Sequence, residues 1–180
     1  MSRGVRPVGL GTKWPHRQTA AAVDHRRSGQ RPPAARLMET TLDAATVPFA
    51  RQIGLRRNVD GRLELPFSEV VHNHLGTVHA SAQIALAETA SGDLLARRFP
   101  QLVGRVVPVV RAVRAKFRKP ATQTLTAYPA IADDDLKRFL AQIENQGRAF
   151  LTVEVEVRDT DGDLTCRAAF DWFIRSLPLI

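Results

Sequence analysis

Residues 73–92 read Asn-His-Leu-Gly-Thr-Val-His-Ala-Ser-Ala-Gln-Ile-Ala-Leu-Ala-Glu-Thr-Ala-Ser-Gly. The stretch opens as a loop with one amide side chain, Asn73, and becomes a helix from about Thr77 to Ala96, with Gly92 as a point of bending. Five alanines between positions 80 and 90 favour helix strongly, and the segment is longer than a usual strand. Val78, Ala82, Ala85 and Thr89 keep helical spacing, as do Ile84, Ala87, Ser91 and Leu94. A helix apolar or small on most sides is a buried one, and small residues let it lie close to a neighbouring backbone. Between 73 and 92 the only acid is Glu88, and a buried carboxylate is costly without a partner or a task.

Upstream, Thr41 to Gln52 has the pattern of a short helix anchored by Phe49 and Ile53. Leu55–Val59 and Leu63–Phe67 form two extended runs about Asp60-Gly61, a strong hairpin-turn dipeptide. Downstream, Val103–Val110 is a β-branched run interrupted by Pro108. Val113, Ala115 and Phe117 then alternate with Arg114, Lys116 and Arg118 at a period of two, and Thr122–Tyr128 gives another strand. Asp133-Asp134-Asp135 opens a helix to about Asn145, acids at its positive end, with Gly147 as the stop. Leu151 to Arg158 and Leu164 to Ile174 alternate on either side of a turn at Asp159–Asp163, a long hairpin with one wet face. Strand, strand, long buried helix, then about four strands with a short helix inserted predicts an α+β protein whose antiparallel sheet wraps one helix.

The chain has 180 residues, 44% of them hydrophobic, enough for one domain with a real core. No apolar run is long enough to span a membrane, and the basic N-terminus lacks the apolar stretch of a secretory signal. The lone cysteine, Cys166, excludes an internal disulfide and suits a reducing compartment, so a cytoplasmic location is expected. The net charge of +8 is unevenly spread: residues 1–37 hold eight Lys or Arg against one acid, Asp24. Pro32-Pro33 and scattered Gly, Arg and Ala make that segment a solvated, disordered extension, with residues 38–180 as the domain. Met38, where composition becomes ordinary, is an alternative translation start. Without aromatic interleaving the tail is a poor nucleic-acid arm, and Trp14 and Trp172 show no cofactor arrangement. His72, His74 and His79 invite a metal reading, but no cysteine or paired acid stands at ligand spacing, so neither metal nor redox cofactor is expected.

These residues resemble the hotdog-fold thioesterase superfamily, and more narrowly its PaaI-like branch and related thioesterase-like families of uncharacterised function. That branch has an Asn, then His-Gly-Gly at the helix start, then an acid followed by Thr. Here Asn73 precedes His79 by six positions, and Glu88-Thr89 follows it by nine. The strand Val113 to Pro120 also resembles the one after the family's central helix, and the likeness covers about residues 45–176. Two departures stand out: Ala80 and Ser81 replace the two glycines, and Glu88 replaces the branch's usual Asp. The resemblance implies a hotdog fold, a symmetric dimer or a dimer of such dimers, and hydrolysis of an acyl-CoA to free acid and coenzyme A.

Thioester hydrolysis needs a polarised carbonyl and an activated nucleophile. Backbone N–H groups at a helix start have no internal partners, so those of Ala80 and Ser81 are expected to hold the oxyanion. Glu88 is expected to activate water or attack the carbonyl itself. Asn73 would position water or thioester, or instead satisfy its own loop. His79, Gln83 and Thr89 would line the pocket, His79 chiefly as a helix-start hydrogen bonder. Arg114, Lys116 and Arg118 share a strand face and would meet coenzyme A phosphates or remain solvated. Ala80 and Glu88 are eight residues apart, roughly 12 Å along a helix, too far for one thioester to reach both. Two such helices packed antiparallel across a two-fold axis solve this by sharing each site between subunits. Two rivals remain: a hotdog protein that binds acyl-CoA without hydrolysing it, and a nucleic-acid-associated module driven by the tail. Pairing of Glu88 with an arginine such as Arg114 is the structural alternative to catalysis.

Overall fold

The computed structural model describes residues 43–177. The basic extension 1–37, Trp14 and the alternative start at Met38 lie outside the described residues. The expected α+β architecture is present. Six strands form one antiparallel sheet in the order β1-β2-β4-β5-β6-β3, with the long helix α2 packed across one face. The strands are β1 (Arg56–Arg57), β2 (Leu63–Leu65), β3 (Val106–Phe117), β4 (Leu125–Ala130), β5 (Arg148–Asp159) and β6 (Leu164–Ser176). The helices are α1 (Pro48–Gln52), α2 (Ala80–Arg98) and α3 (Asp133–Gln146).

The core follows from the alternation. Leu151, Val153, Val155 and Val157 of β5 face the same side as Cys166, Ala168, Phe170, Trp172 and Ile174 of β6, and all are buried. They meet Ala82, Leu86, Ala87 and Ala90 of α2, whose small side chains let the helix settle closely on the sheet. Trp172 closes the contact: its ring lies against Gly92, and its indole N–H donates to Ser91 Oγ at 3.1 Å. The helix runs through Gly92 without a break.

Several boundaries differ from the sequence expectation. Instead of one helix from Thr41, a 3-10 turn at Ala44–Thr46 precedes α1, because Pro48 occupies the first helical position. Phe49, expected as an anchor, is 61% exposed, and Ala50 fills the core in its place. The first hairpin pairs only two residues of β1, since Asn58 draws the turn inward by accepting from the N–H groups of Asp60 and Arg62. α2 begins at Ala80 and not Thr77, because the chain before it is held extended. Val78 N–H donates to Ala121 O at 2.8 Å, and His79 N–H to Val71 O at 2.7 Å. Val103–Val110 and Val113–Phe117 merge into one strand, with a bulge at Arg111 that absorbs the change of phase. Pro108 is tolerated because β3 is an edge strand.

Beyond Ala130, β4 no longer accompanies β5, and α3 occupies the vacated edge. Gln142 Oε1 accepts the N–H of Phe150 there, and Phe139 turns inward onto Phe99 with ring centroids 4.9 Å apart. α3 ends as expected at Gly147, whose φ of 62° suits a residue without a side chain.

Candidate active site

The start of α2 is capped by an imidazole. His79 takes the N-cap position, and its Nδ1 accepts the N–H of Ser81 at 3.0 Å. The N–H groups of Ala82 and Gln83 both donate to the His79 carbonyl, at 3.0 and 3.2 Å. Of the first helical donors only the N–H of Ala80 is left without an acceptor among the described residues. It stands at the positive end of a 19-residue helix, a place that favours developing negative charge. Of the two donors expected from the sequence, one is thus committed to His79 and one is free.

Asn73 organises the loop before the cap. Its Oδ1 accepts the N–H groups of Leu75 and Thr77 at 2.9 and 3.2 Å, and its Nδ2 donates to Thr77 Oγ1 at 2.8 Å. This is the loop-satisfying role weighed above, and it leaves one amide hydrogen for anything else. Gln83 is 4% exposed; its Nε2 reaches back to Val78 O at 3.5 Å, and its Oε1 has no partner. His72 Nε2 is also buried without a partner among the described residues, although the ring packs tilted against Phe67, centroids 4.3 Å apart.

Glu88 lies two turns further along, exposed, and in no ion pair among the described residues. The expectation that it is the awkward buried acid of the helix is therefore corrected. The buried acid is Asp93, 3% exposed, which the reading of 73–92 stopped short of. Arg57 grips both Asp93 oxygens at 2.8 and 3.2 Å, and Arg97, one turn on, adds a third contact at 2.9 Å. Arg57 also donates to Asp43 at 2.7 Å. Its hydrogen bonds to Asp93 and then to Asp43 push its pKa further above the usual guanidinium range, so Arg57 stays charged. The i,i+4 spacing of Asp93 and Arg97 was the signal available in the sequence. Thr89 spends its hydroxyl on Ala85 O at 2.7 Å.

The basic trio of the third strand is remote from this helix. Cross-strand register puts Arg114 and Lys116 opposite Ala169 and Arg167, on the sheet face away from α2, with Arg118 just past the strand. Arg114 is engaged by both carboxylate oxygens of Asp171, at 2.6 and 3.1 Å, so its pairing with Glu88 does not occur. That hydrogen bond holds the Asp171 carboxyl below its ordinary range. An open cavity of about 570 Å³ lies on this far face, lined by Arg111, Arg114, Arg138 and Phe150 among others, away from the helix start.

On the helix side of the same strand the chemistry is reversed. Val110, Val113, Ala115 and Phe117 share the face of Trp172, Phe170, Ala168 and Cys166, yet Val113 and Phe117 are each 44% exposed. β3 thus offers an apolar face and one open edge. Among the described residues no group of three or more His, Cys, Asp or Glu is placed to hold a metal. None of their helices is long and apolar enough to cross a membrane.

Solved structures share this architecture. A Pseudomonas aeruginosa protein described as a probable thioesterase is 23% identical, with a TM-score of 0.62 over 74% of this chain and 91% of that one. A Haemophilus influenzae thioesterase is 15% identical, with a TM-score of 0.57 over 75% and 87%. A Bacillus halodurans protein solved with CoA is 22% identical, with a TM-score of 0.53 over 68% and 72%. At these identities the likeness shows the fold, which is the hotdog fold. No curated protein is significantly similar to the sequence. The family model described as a domain of unknown function, DUF4442, matches residues 43–174, and the chain belongs to that family.

Proposed function

We propose that the protein is an acyl-CoA thioesterase, hydrolysing an acyl or aryl thioester to the free acid and coenzyme A in a symmetric dimer. The observation that carries this reading is a pair of groups on one helix uncommitted among the described residues: the Ala80 N–H without an acceptor and Glu88 without a partner. Their eight-residue separation, roughly 12 Å, forbids joint action within a chain and suits two antiparallel helices across a two-fold axis. Among the described residues the half-exposed apolar face of β3 and its unpaired edge give the dimer a surface to form on, strand against strand. The Bacillus halodurans structure with CoA and the thioesterases of the same fold support the substrate class.

In this site the thioester carbonyl oxygen receives the Ala80 N–H, so negative charge developing on it meets a donor and the helix dipole. Glu88 of the partner subunit takes a proton from water as the water oxygen bonds to the carbonyl carbon. The tetrahedral intermediate collapses, the carbon–sulfur bond breaks, and the proton held by the glutamate passes to the coenzyme A thiolate. No metal or redox group is required. Asn73 and His79 shape the loop and cap that present the donor, and the arginine face of β3 is solvated when Arg114 keeps Asp171.

One observation favours the rival, an acyl-CoA binder without turnover: two side chains stand where the family has glycines, and the Ser81 N–H is occupied. A panel of acyl-CoA substrates of graded chain length, with free thiol measured, decides between them. Turnover of at least one member is expected, and none on any member sinks the enzyme reading.

A further inference from the structure

The sheet face away from α2 carries a row of apolar side chains that the thioester site leaves unused. Val109, Phe173 and Phe150 stand side by side across β3, β6 and β5. The two rings pack tilted, centroids 5.0 Å apart, and Phe150 is 63% exposed. Cations stand on both sides of this row. On one side Arg148 and Arg175 lie directly opposite each other on adjacent strands. On the other, the bulge at Arg111 brings its guanidinium over the Phe173 ring, 5.8 Å from the centroid. None of these three makes an ion pair among the described residues, whereas nearby Arg114 holds Asp171 and Arg138 holds Asp135. Like charges directly opposite each other destabilise a sheet, so the Arg148–Arg175 pair is a cost that a bound anion would remove.

α3 makes this row the floor of a groove. Arg138, Gln142 and Gln146 recur every fourth residue, so they line one face of the helix beside Phe150. Two open cavities, of about 570 and 360 Å³, share Gln142 and Phe150 and continue one another along α3. From Asp135 to Gln146 that wall is roughly 16 Å long at 1.5 Å per residue. A flat bilayer does not reach a floor beside such a wall. A second copy of this chain brings the same surplus of charge: on this face of β3, β5 and β6, Arg111, Lys116, Arg148 and Arg175 lack an ion pair among the described residues, against one such acid, Glu154. An exposed ring between cations suits a planar group with an anion on each side, and within a nucleic-acid strand every base lies between two phosphates. We propose that the groove binds single-stranded nucleic acid, one base stacked on Phe150 and its flanking phosphates on Arg111 and on the Arg148–Arg175 pair. Gln142 Oε1 already accepts the Phe150 N–H, so its Nε2 is the end that donates to the base edge. The groove and the start of α2 are on opposite faces of the sheet, so this site is independent of the thioester chemistry.

The test is fluorescence anisotropy of the full chain with a labelled single strand of about 12 nucleotides, titrated between about 50 and 200 mM salt. Phe150→Ala should weaken binding about tenfold, the loss of one stacked base. Arg111→Gln combined with Arg148→Gln should make the salt dependence shallower, its logarithmic slope falling by about 1.4 for two phosphates. The matching duplex should bind about tenfold more weakly than the single strand, because its bases are already stacked on each other. A mononucleotide, with phosphate on one side only, should compete poorly. All three side chains are exposed, so both variants should keep the wild-type melting temperature. Wild-type affinity and salt slope in both variants overturn the inference and assign any binding to the basic extension 1–37. Equal affinity for the duplex overturns it, as does no binding at the lowest salt. Binding of anionic phosphatidylglycerol vesicles, or self-association, that is lost in the variants while strand binding is not gives the groove to another occupant and overturns it too. Should one variant fail to fold, the other decides.

Discussion

Glu88 and Asp93 are two acids on one helix, five residues apart, and they have opposite circumstances. Asp93 is sunk beneath the first hairpin and held by two arginines, and through Arg57 it ties α2 to the segment before α1. Glu88 is exposed, and its carboxylate makes no ion pair among the described residues. Burial alone would mark Asp93 as the site, because perturbed acids cluster where chemistry happens. The hydrogen bonds reverse that judgement: three contacts to two arginines commit the Asp93 carboxylate to structure, whereas the exposed Glu88 carboxylate, in no ion pair among the described residues, is free for a second subunit.

The sharpest way to break this contrast is to neutralise each acid in turn. Glu88→Gln should lower thioester hydrolysis about 1,000-fold by removing the base, with folding stability changed by less than about 0.5 kcal/mol, as for an exposed site. Steady-state thiol release and thermal melts read the two effects separately, and a stability loss with activity kept would exchange the roles of the two acids. Asp93→Ala should do the converse, costing about 3 kcal/mol. That is the low end for a broken buried pair, because the abandoned guanidiniums reach solvent. Denaturant midpoints measure it, while kcat of the remaining folded protein stays close to wild type.

A third experiment asks whose Glu88 is used. Ala80→Pro removes the free N–H at a helix position that accepts proline, so it should abolish activity and leave α2 intact. Mixing it with Glu88→Gln and allowing subunits to exchange should restore about a quarter of wild-type activity, because half the dimers are mixed and each has one whole site. No recovery after demonstrated exchange would place both groups in one chain's service. The smallest effect is in pH. Arg57 holds Asp43, Arg158 and Arg167 hold Glu156, and Arg114 holds Asp171, each carboxyl below its ordinary value. A lowered carboxyl contributes stability that is present above its unfolded pKa of about 4 and is lost as pH falls through the lowered value. Melting temperature should therefore be nearly flat from neutral pH down to about 5 and decline below about 4.

The fold was legible wherever a period was long enough to repeat. The alternation from Leu151 to Ile174 specifies the β5–β6 hairpin, and the alanines of 80–90 specify the helix that it cradles. Short or irregular pieces were not. Composition carried the helix back to Thr77, and only the likeness of His79 to a helix-start histidine pointed to the true start at Ala80, while Pro108 with the Arg111 bulge disguised one strand as two. The spacing of Asn73, His79 and Glu88 pointed to the region. The commitments of Asn73 to its loop and of Ser81 to His79 depend on a three-dimensional turn that no spacing records. Asp93 escaped notice because its main partner, Arg57, is 36 residues away.

Cys166 supplies the means to watch the assembly. It is the sole thiol of the chain, buried where β6 meets the end of the edge strand opposite Phe117, and burial pushes its pKa up to about 11. A thiol reagent must wait until the sheet around Cys166 opens, and loss of the β3–β6 pairing at the edge is one such opening, so the labelling rate is a clock for it. If a second chain seals the edge, the clock should slow as protein concentration rises. The assembly can then be titrated without tag, dye or substrate.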